Sequence, residues 1–371
     1  MTAVLAEKRL GDPLDPANPL GFDAILAADE RREPFTAADD VLRGPLAERS
    51  GRDRLVELGR AVFRRDTALA ARLGVPGLAA VHGLPRPPQA APFAVAADAG
   101  LRVADGILNG RAHVLGPDPH GYAVLGLRTD DGTPARLLLD LATLPSAHVH
   151  RGPARKLIAL EGSAVAEYTF HGCPLPGSGV LDLYGPEVPA LLSGMAVGAV
   201  DSQLRLALDF AHGRMLYGRR VTDIPHSGNL LAGVFLDVLI CDGLAGLPGA
   251  SALVHDVVRQ AGNELTVLLG ARSYLREGPH GIFQKQLRDL PALLHLAALP
   301  DASAPAPLPR ELPAPDGLAD AVRRRLGTRF GHRPQPLDDT TRRRVLDELL
   351  ARADAGLTFD LACTALPRTR A

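Results

Sequence analysis

The chain has 371 residues, 41 Lys plus Arg against 42 Asp plus Glu, a hydrophobic fraction of 46% and a charged fraction of 22%. That is enough chain for two or three packed units of an ordinary globular protein, and the near-neutral balance creates no net field to draw nucleic acid or an anionic membrane. Aromatics make up 4% and Trp is absent, which weighs against base stacking.

Three cysteines, Cys173, Cys241 and Cys363, are too far apart for ligand spacing, as expected of a reduced cytoplasmic protein. The opening MTAVLAEKRLGDPLD has no apolar run of signal-peptide length. No stretch of about 18 residues is uninterruptedly apolar. Leu230 to Ile240 comes nearest, is broken by Asp237, and predicts a buried core helix.

In chain order, residues 1–82 read as helical. Phe22, Ile25 and Leu26 open one amphipathic pattern, and Leu55, Val56, Leu58, Val62 and Phe63 carry a second. Asp66 is placed to cap a short helix, Thr67 to Leu73, which Gly74 and Pro76 would end. Arg64, Arg65 and Asp66 are expected on a solvated face or in local ion pairs. His82 to Pro92, HGLPRPPQAAP, contains four prolines and reads as an extended connector.

From Phe93 to Gly177 the period becomes that of strands. Candidates are Leu101 to Val103, Ile107 with Leu108, Ala123 to Leu127, Arg136 to Leu139 and Ala164 to Phe170, with turns expected at Asp105-Gly106, Asn109-Gly110 and Asp131-Gly132. Short strands with tight reversals predict an antiparallel sheet or barrel, and no GxGxxG follows a strand. His148 and His150 alternate but lack a third ligand, so no metal site is expected. Ser178 reads as a turn residue and Cys241 as a buried, inert thiol.

Residues 187–298 return to helices. Met195, Val197, Leu204, Leu206, Phe210 and Leu216 mark a long one, whose RxxYG ending would have Arg214 in the last turn and Gly218 as its stop. A second helix follows Asp223, Ile224 and Pro225, a third is expected from Ser251 to Leu269, and a fourth from Phe283 to Leu299 with a bend or early stop at Pro291. Pro300 to Pro315 is a linker by composition, and Leu318 to Leu326 and Thr340 to Ala353 are two further helices. Arg323, Arg324 and Arg325 are expected on a solvated helix face. The division is 1–92 helical with a connector, 93–180 β, 181–299 four-helix bundle, and 300–371 linker and helical extension.

This α+β order resembles the flavin-dependent acyl-CoA dehydrogenases over roughly residues 15–300. Three segments carry the likeness: LRVADGILNGR at 101–111, RMLYG at 214–218 in the place of the family's RxxFG motif, and LLGARSYLREGPHGIFQKQLRD at 268–289, closing on Arg288 and Asp289. The resemblance implies FAD held between two subunits, with the RxxFG arginine of one chain reaching phosphates of the cofactor held mainly by the other. On that basis Arg214, Tyr217 and Gly218 are the cofactor-binding candidates, and Arg272 and Arg276 are either further phosphate ligands or surface arginines. It also implies removal of an α proton by a glutamate and of a β hydride by the flavin of an acyl thioester.

The residues for that chemistry are missing at the matching places. The glutamate's position falls near Ala297, and the alternative position on the first bundle helix falls near Leu191; both are apolar. Glu187, one turn earlier, is the nearest carboxylate. RPPQAAP at 86–92 stands where hydroxyls and amides meet the flavin, Val114 and Gly116 where an aromatic and a hydroxyl residue do, and Val267 and Ala271 replace the glutamine and second glycine of the double-glycine run. With no catalytic residue of its own, the chain is expected to be one subunit of a heterodimeric or heterotetrameric acyl-CoA dehydrogenase, as in actinobacterial steroid side-chain breakdown, completing a partner's FAD site. The alternatives are an active homomeric dehydrogenase or flavin monooxygenase with a displaced base, and a structural relic holding no flavin.

Overall fold

The computed structural model describes residues 3–38, 52–71, 100–115, 122–132, 134–162, 164–175, 187–245, 249–297, 309–329 and 335–367, with a few single or paired residues beside them. The boundaries drawn at 92/93, 180/181 and 299/300 fall in or at the edge of segments outside these residues, as do the proline-rich connector, most of the linker and Ser178.

The chain opens with α1 (Ala3–Leu10), α2 (Phe22–Arg31) and α3 (Arg52–Arg65). Apolar residues recur at helical spacing, so Phe22 and Ile25, then Leu55, Leu58, Val62 and Phe63, turn one face inward and are buried. Asp66 leaves α3 and accepts from the backbone N–H groups of Leu69 at 3.0 Å and Ala68 at 3.3 Å, capping the helical residues 67–71 as expected.

The middle of the chain forms one sheet in the order β5-β7-β2-β1-β3-β4-β8, with β6 beside β7. Its strands are β1 (Arg102–Ala104), β2 (Ile107–Leu115), β3 (Tyr122–Arg128), β4 (Pro134–Asp140), β5 (Val149–Arg151), β6 (Arg155–Lys156), β7 (Ala164–Pro174) and β8 (Leu181–Asp182). Leu108, Ala112, Val114, Leu125, Tyr168 and Phe170 alternate into its own core. Two expectations need correcting. The sheet is mixed, since β1 meets β3 in parallel at Arg102 and Arg128.

The second correction concerns Asn109-Gly110, which is no turn. The reversal occurs at Asp105-Gly106, whose φ values of 49° and 73° suit a two-residue hairpin, and β2 continues through Asn109. Gly110 instead marks a register irregularity in the pairing with β7. Its φ is 118°, and an added Cβ would lie 1.9 Å from the carbonyl oxygen of Gly100, so no side chain fits.

The second half contains α4 (Glu187–Gly213), α5 (Pro225–Leu244), α6 (Ser251–Leu269), α7 (Gly278–Ala297), α8 (Ala319–Arg329) and α9 (Asp339–Ala355). α7 runs on through Pro291, which removes only one backbone donor. α5 has 20 residues, nine more than Leu230 to Ile240, and is long and apolar enough to cross a membrane by length and composition. It is instead covered on its sides: α4 and α6 pack on it from the bundle, and α8 and α9 from the extension. One continuous core joins Phe22, Leu55, Leu204, Phe235, Phe283, Leu326 and Phe359, so the extension is part of the helical body. Phe359 is fully buried at 6.1 Å and 74° from Phe235, beneath the Arg205 guanidinium at 4.1 Å.

The interior also contains dense ion pairs. Arg64 donates to Glu7 at 2.7 Å and lies 3.5 and 3.6 Å from Asp201 and Asp360, while Arg60 meets Asp242 and Asp360. Lys285 joins Asp66 and Asp289, and Arg288 donates to Asp29 at 2.6 Å. The expectation of a solvated face at 64–66 is therefore corrected: Arg64, Arg65 and Asp66 are buried, and the partners of Arg64 and Asp66 come from distant segments. The same holds for Arg325, which grips Asp237 with two bonds of 2.9 and 2.7 Å, whereas Arg323 and Arg324 are exposed.

A candidate cofactor-facing arginine site at the end of the long helix

The arginine-bearing end of α4 differs from its sequence reading. The helix stops at Gly213, before Arg214, and the chain folds into a small hairpin of β9 (Met215–Leu216) and β10 (Arg219–Arg220). Tyr217 and Gly218 form its tip at φ 53° and 73°, two successive left-handed residues that reverse a two-residue hairpin. Gly218 thus turns a hairpin and caps no helix. The Val221 N–H donates to the Arg214 carbonyl at 2.9 Å and closes the base. Tyr217 is 91% exposed.

Phe210, four residues before Arg214, organises the cations. The Arg214 guanidinium lies 5.5 Å from the ring centroid and that of Arg272 lies 5.0 Å away, both in cation–π range. His280 meets the same ring edge-on at 5.8 Å and 76°. Arg272 comes from a 3-10 turn, Gly270–Tyr274, that follows α6, and His280 from the first turn of α7. Burial and the neighbouring Arg272 push the His280 pKa down, which favours the neutral ring.

Among the described residues neither Arg214 nor Arg272 has a carboxylate within ion-pair distance, unlike the buried arginines of the core. Arg276, kept beside Arg272 in the sequence reading, is 3.9 Å from Asp29 and is already engaged. Two guanidiniums on one ring, free of carboxylates, can present paired donors to an anion such as a diphosphate. The sequence marked Phe210 only as an apolar helix position; its meeting with Arg214, Arg272 and His280 is a result of the fold.

The other marked positions sit as follows. Arg288 and Asp289 bond each other at 2.8 Å inside the ionic core, where Asp289 also accepts the Leu160 N–H at 2.9 Å and so ties the β region to α7. Burial alone would raise the Asp289 pKa, but Lys285 and Arg288 outweigh it and hold the carboxylate below its ordinary range. Leu191 is buried, and Val114 lies within the sheet core. Val267 and Ala271 are exposed, near Arg272. Glu187 begins α4 and Ala297 ends α7, but the side chains there, like 86–92 and Gly116, lie outside the described residues.

One pair was missed by the sequence reading. Ser193 on α4 and His255 on α6 meet at 3.0 Å between Oγ and Nε2, and burial lowers the His255 pKa to about 4. His148 donates from Nδ1 to the His171 carbonyl at 2.8 Å, and no group of three or more His, Cys, Asp or Glu among the described residues is arranged to hold a metal. Cys241 is buried, and burial, with Asp237 second, raises its thiol pKa well above the ordinary value.

No protein-family model matches the chain, and no curated protein matches it. Solved structures do. A structure titled PigA with FAD and proline is similar at TM-score 0.61 and 16% identity, covering 81% of this chain and 94% of its own. Butyryl-CoA dehydrogenase from Megasphaera elsdenii is similar at TM-score 0.57 and 13% identity over 79% and 94%. A glutaryl-CoA dehydrogenase from Mycobacterium smegmatis in complex with FADH2 is similar at TM-score 0.57 and 12% identity over 90% and 94%. The helical start, mixed sheet and helical bundle of this chain thus form an α+β, acyl-CoA dehydrogenase-like fold.

Proposed function

We propose that the chain is the non-catalytic half of a flavin-dependent acyl-CoA dehydrogenase-type enzyme, donating Arg214 and Arg272 to the diphosphate of an FAD held mainly by a different subunit. One observation carries the reading: both guanidiniums stack on Phe210 and lack a carboxylate partner among the described residues. The residues present fit the diphosphate end of FAD in kind, since a phosphate takes the bonds that no carboxylate takes here. Bound FAD supplies a hydride acceptor for α,β-dehydrogenation of an acyl thioester. This chain's share is to orient the cofactor through Arg214, Arg272 and the turn at Tyr217-Gly218. Apolar Leu191 and Ala297 at the matching base positions support assigning proton removal to the partner. The same reading places the complex in the cytoplasm, as a heterodimer or heterotetramer, with a steroid side-chain acyl-CoA as one substrate to try.

Calorimetric titration with FAD of the full chain mixed with a partner subunit that has the complete acyl-CoA dehydrogenase motifs tests the clamp. Arg214→Ala and Arg272→Ala should each weaken binding about tenfold to a hundredfold, the loss of a charge-assisted hydrogen bond. Unchanged affinity in both variants, or a flavin-loaded homodimer that oxidises acyl thioesters unaided, overturns the reading.

One observation favours a second reading, an active homomeric enzyme with a displaced base. His255 contacts α4 within a turn of Leu191, its Nε2 3.0 Å from Ser193 Oγ, and burial favours its neutral ring. Turnover by the chain alone that His255→Gln abolishes and Glu187→Gln spares would select it. The reverse pattern would assign the displaced base to Glu187.

A further inference from the structure

Two pieces from opposite ends of the sequence wall one cavity. The turn after α1 bends at Gly11, with φ 70°, and Asp12 fixes it by accepting the Leu14 N–H at 2.9 Å. At the other end Gly356 stops α9 with φ 67°, and the tail after it is held down. Arg205 donates to the Leu357 carbonyl at 2.5 Å, and the Leu366 N–H donates to the Gly356 carbonyl at 2.8 Å. Between these pieces, the end of α3 and the latter half of α4 lies a cavity of about 190 Å3, with Asp12, Phe22, Arg65, Leu206 and Leu366 in its wall.

We propose that this cavity binds a small aliphatic α-amino acid, its carboxylate on Arg65, its ammonium on Asp12 and its side chain against Phe22, Leu206 and Leu366. The size suits a compact ligand, since an apolar cavity of roughly 150 Å3 takes benzene.

The carboxylate has a donor waiting for it. Arg65 is 2% exposed; its Nη2 donates to the Gly11 carbonyl and lies 3.7 Å from Glu7. Its Nη1 is buried with no hydrogen-bond partner among the described residues. A buried donor left unmade is costly, and a ligand oxygen supplies the acceptor. Burial also pulls the Arg65 pKa below its ordinary value in spite of Glu7 and Asp12 nearby, so this charge gains from a further anion.

The charge balance of the wall then selects a zwitterion. Arg64, Arg65 and Arg205 stand against Glu7, Asp12 and Asp209, and Arg64 is already shared by Glu7, Asp201 and Asp360. An anion alone would tip this balanced wall negative, and a cation alone would leave Nη1 unanswered. An amino acid adds one charge of each sign. Asp12 can take the ammonium while it accepts the Leu14 N–H, because a carboxylate offers about four acceptor sites. Phe22 and Leu206, each 5% exposed, favour an aliphatic side chain over a polar one.

Calorimetric titration of the full chain with L-leucine and L-valine tests this, with 4-methylpentanoate lacking the ammonium and isoamylamine lacking the carboxylate. One or both amino acids should bind one-to-one, and each analogue about tenfold to a hundredfold more weakly, the loss of one charge-assisted hydrogen bond. Asp12→Asn keeps an acceptor for the Leu14 N–H and removes the charge, so it should erase the advantage of leucine over 4-methylpentanoate. Leu366→Trp, on the half-buried tail, should fill the cavity from its rim and abolish binding at an unchanged melting temperature. No binding of either amino acid at millimolar concentration, an analogue that binds as tightly as leucine, or binding retained in Leu366→Trp overturns the assignment. FAD affinity plays no part in this test, so it fails separately from the clamp.

Discussion

Arginines in the helical body and arginines at the hairpin end obey opposite rules. Inside, Arg64 has Glu7, Asp201 and Asp360, and Arg325 has Asp237 and Glu264. Burial alone would lower the pKa of each guanidinium, but the surrounding carboxylates outweigh it and raise both above the ordinary value. At the hairpin, Arg214 and Arg272 have an aromatic ring in place of a carboxylate. These two interior charges are neutralised within the chain, while Arg214 and Arg272 have no carboxylate within ion-pair distance among the described residues.

The largest expected effect comes from breaking an interior set. Asp237→Ala leaves Arg325 and Arg329 buried without their shared carboxylate, and denaturant unfolding should report a loss of about 3–5 kcal/mol. A loss below about 1 kcal/mol would mean that the interior pairs are not compensating one another.

A middle effect comes from the buried imidazole that has no carboxylate bonded to it. His255 has a folded pKa of about 4 against an ordinary value of 6.5. As pH falls from about 6.5 to about 4, the unfolded chain takes a proton there that the folded chain refuses, so this group makes stability decline by up to about 1.4 kcal/mol per pH unit. Thermal melts across that range should flatten in His255→Gln. An unchanged slope would mean that His255 retains its charge as the interior arginines do.

The smallest effect belongs to the hairpin. Arg214→Ala and Arg219→Ala should each change unfolding stability by less than about 0.5 kcal/mol, because no interior partner is left stranded. A loss of about 2 kcal/mol or more from either would assign these arginines to the fold and remove the contrast.

Legibility followed the range of the interaction. The inward faces of α2 and α3, the Asp66 cap and the extent of α6 were visible because each depends on residues a few places apart. The Asn109-Gly110 turn was misread for an instructive reason. Two Gly-containing pairs four residues apart both suit a reversal, and the pairing of β2 with β7 decides that only Asp105-Gly106 makes one. The solvated face read at 64–66 failed similarly, since Glu7, Asp201, Asp360 and Lys285 reach it only in the folded chain.

The sequence alone determined the helical, β and helical order and the apolar character of α5, because propensity and periodicity are local. Tertiary structure decided that Arg214 follows the helix and enters no last turn of it, that Arg272 joins it on Phe210, and that Arg325 is buried while Arg323 and Arg324 are exposed. Whether an arginine is neutralised or left available depends on which distant carboxylates the fold brings within a few ångströms.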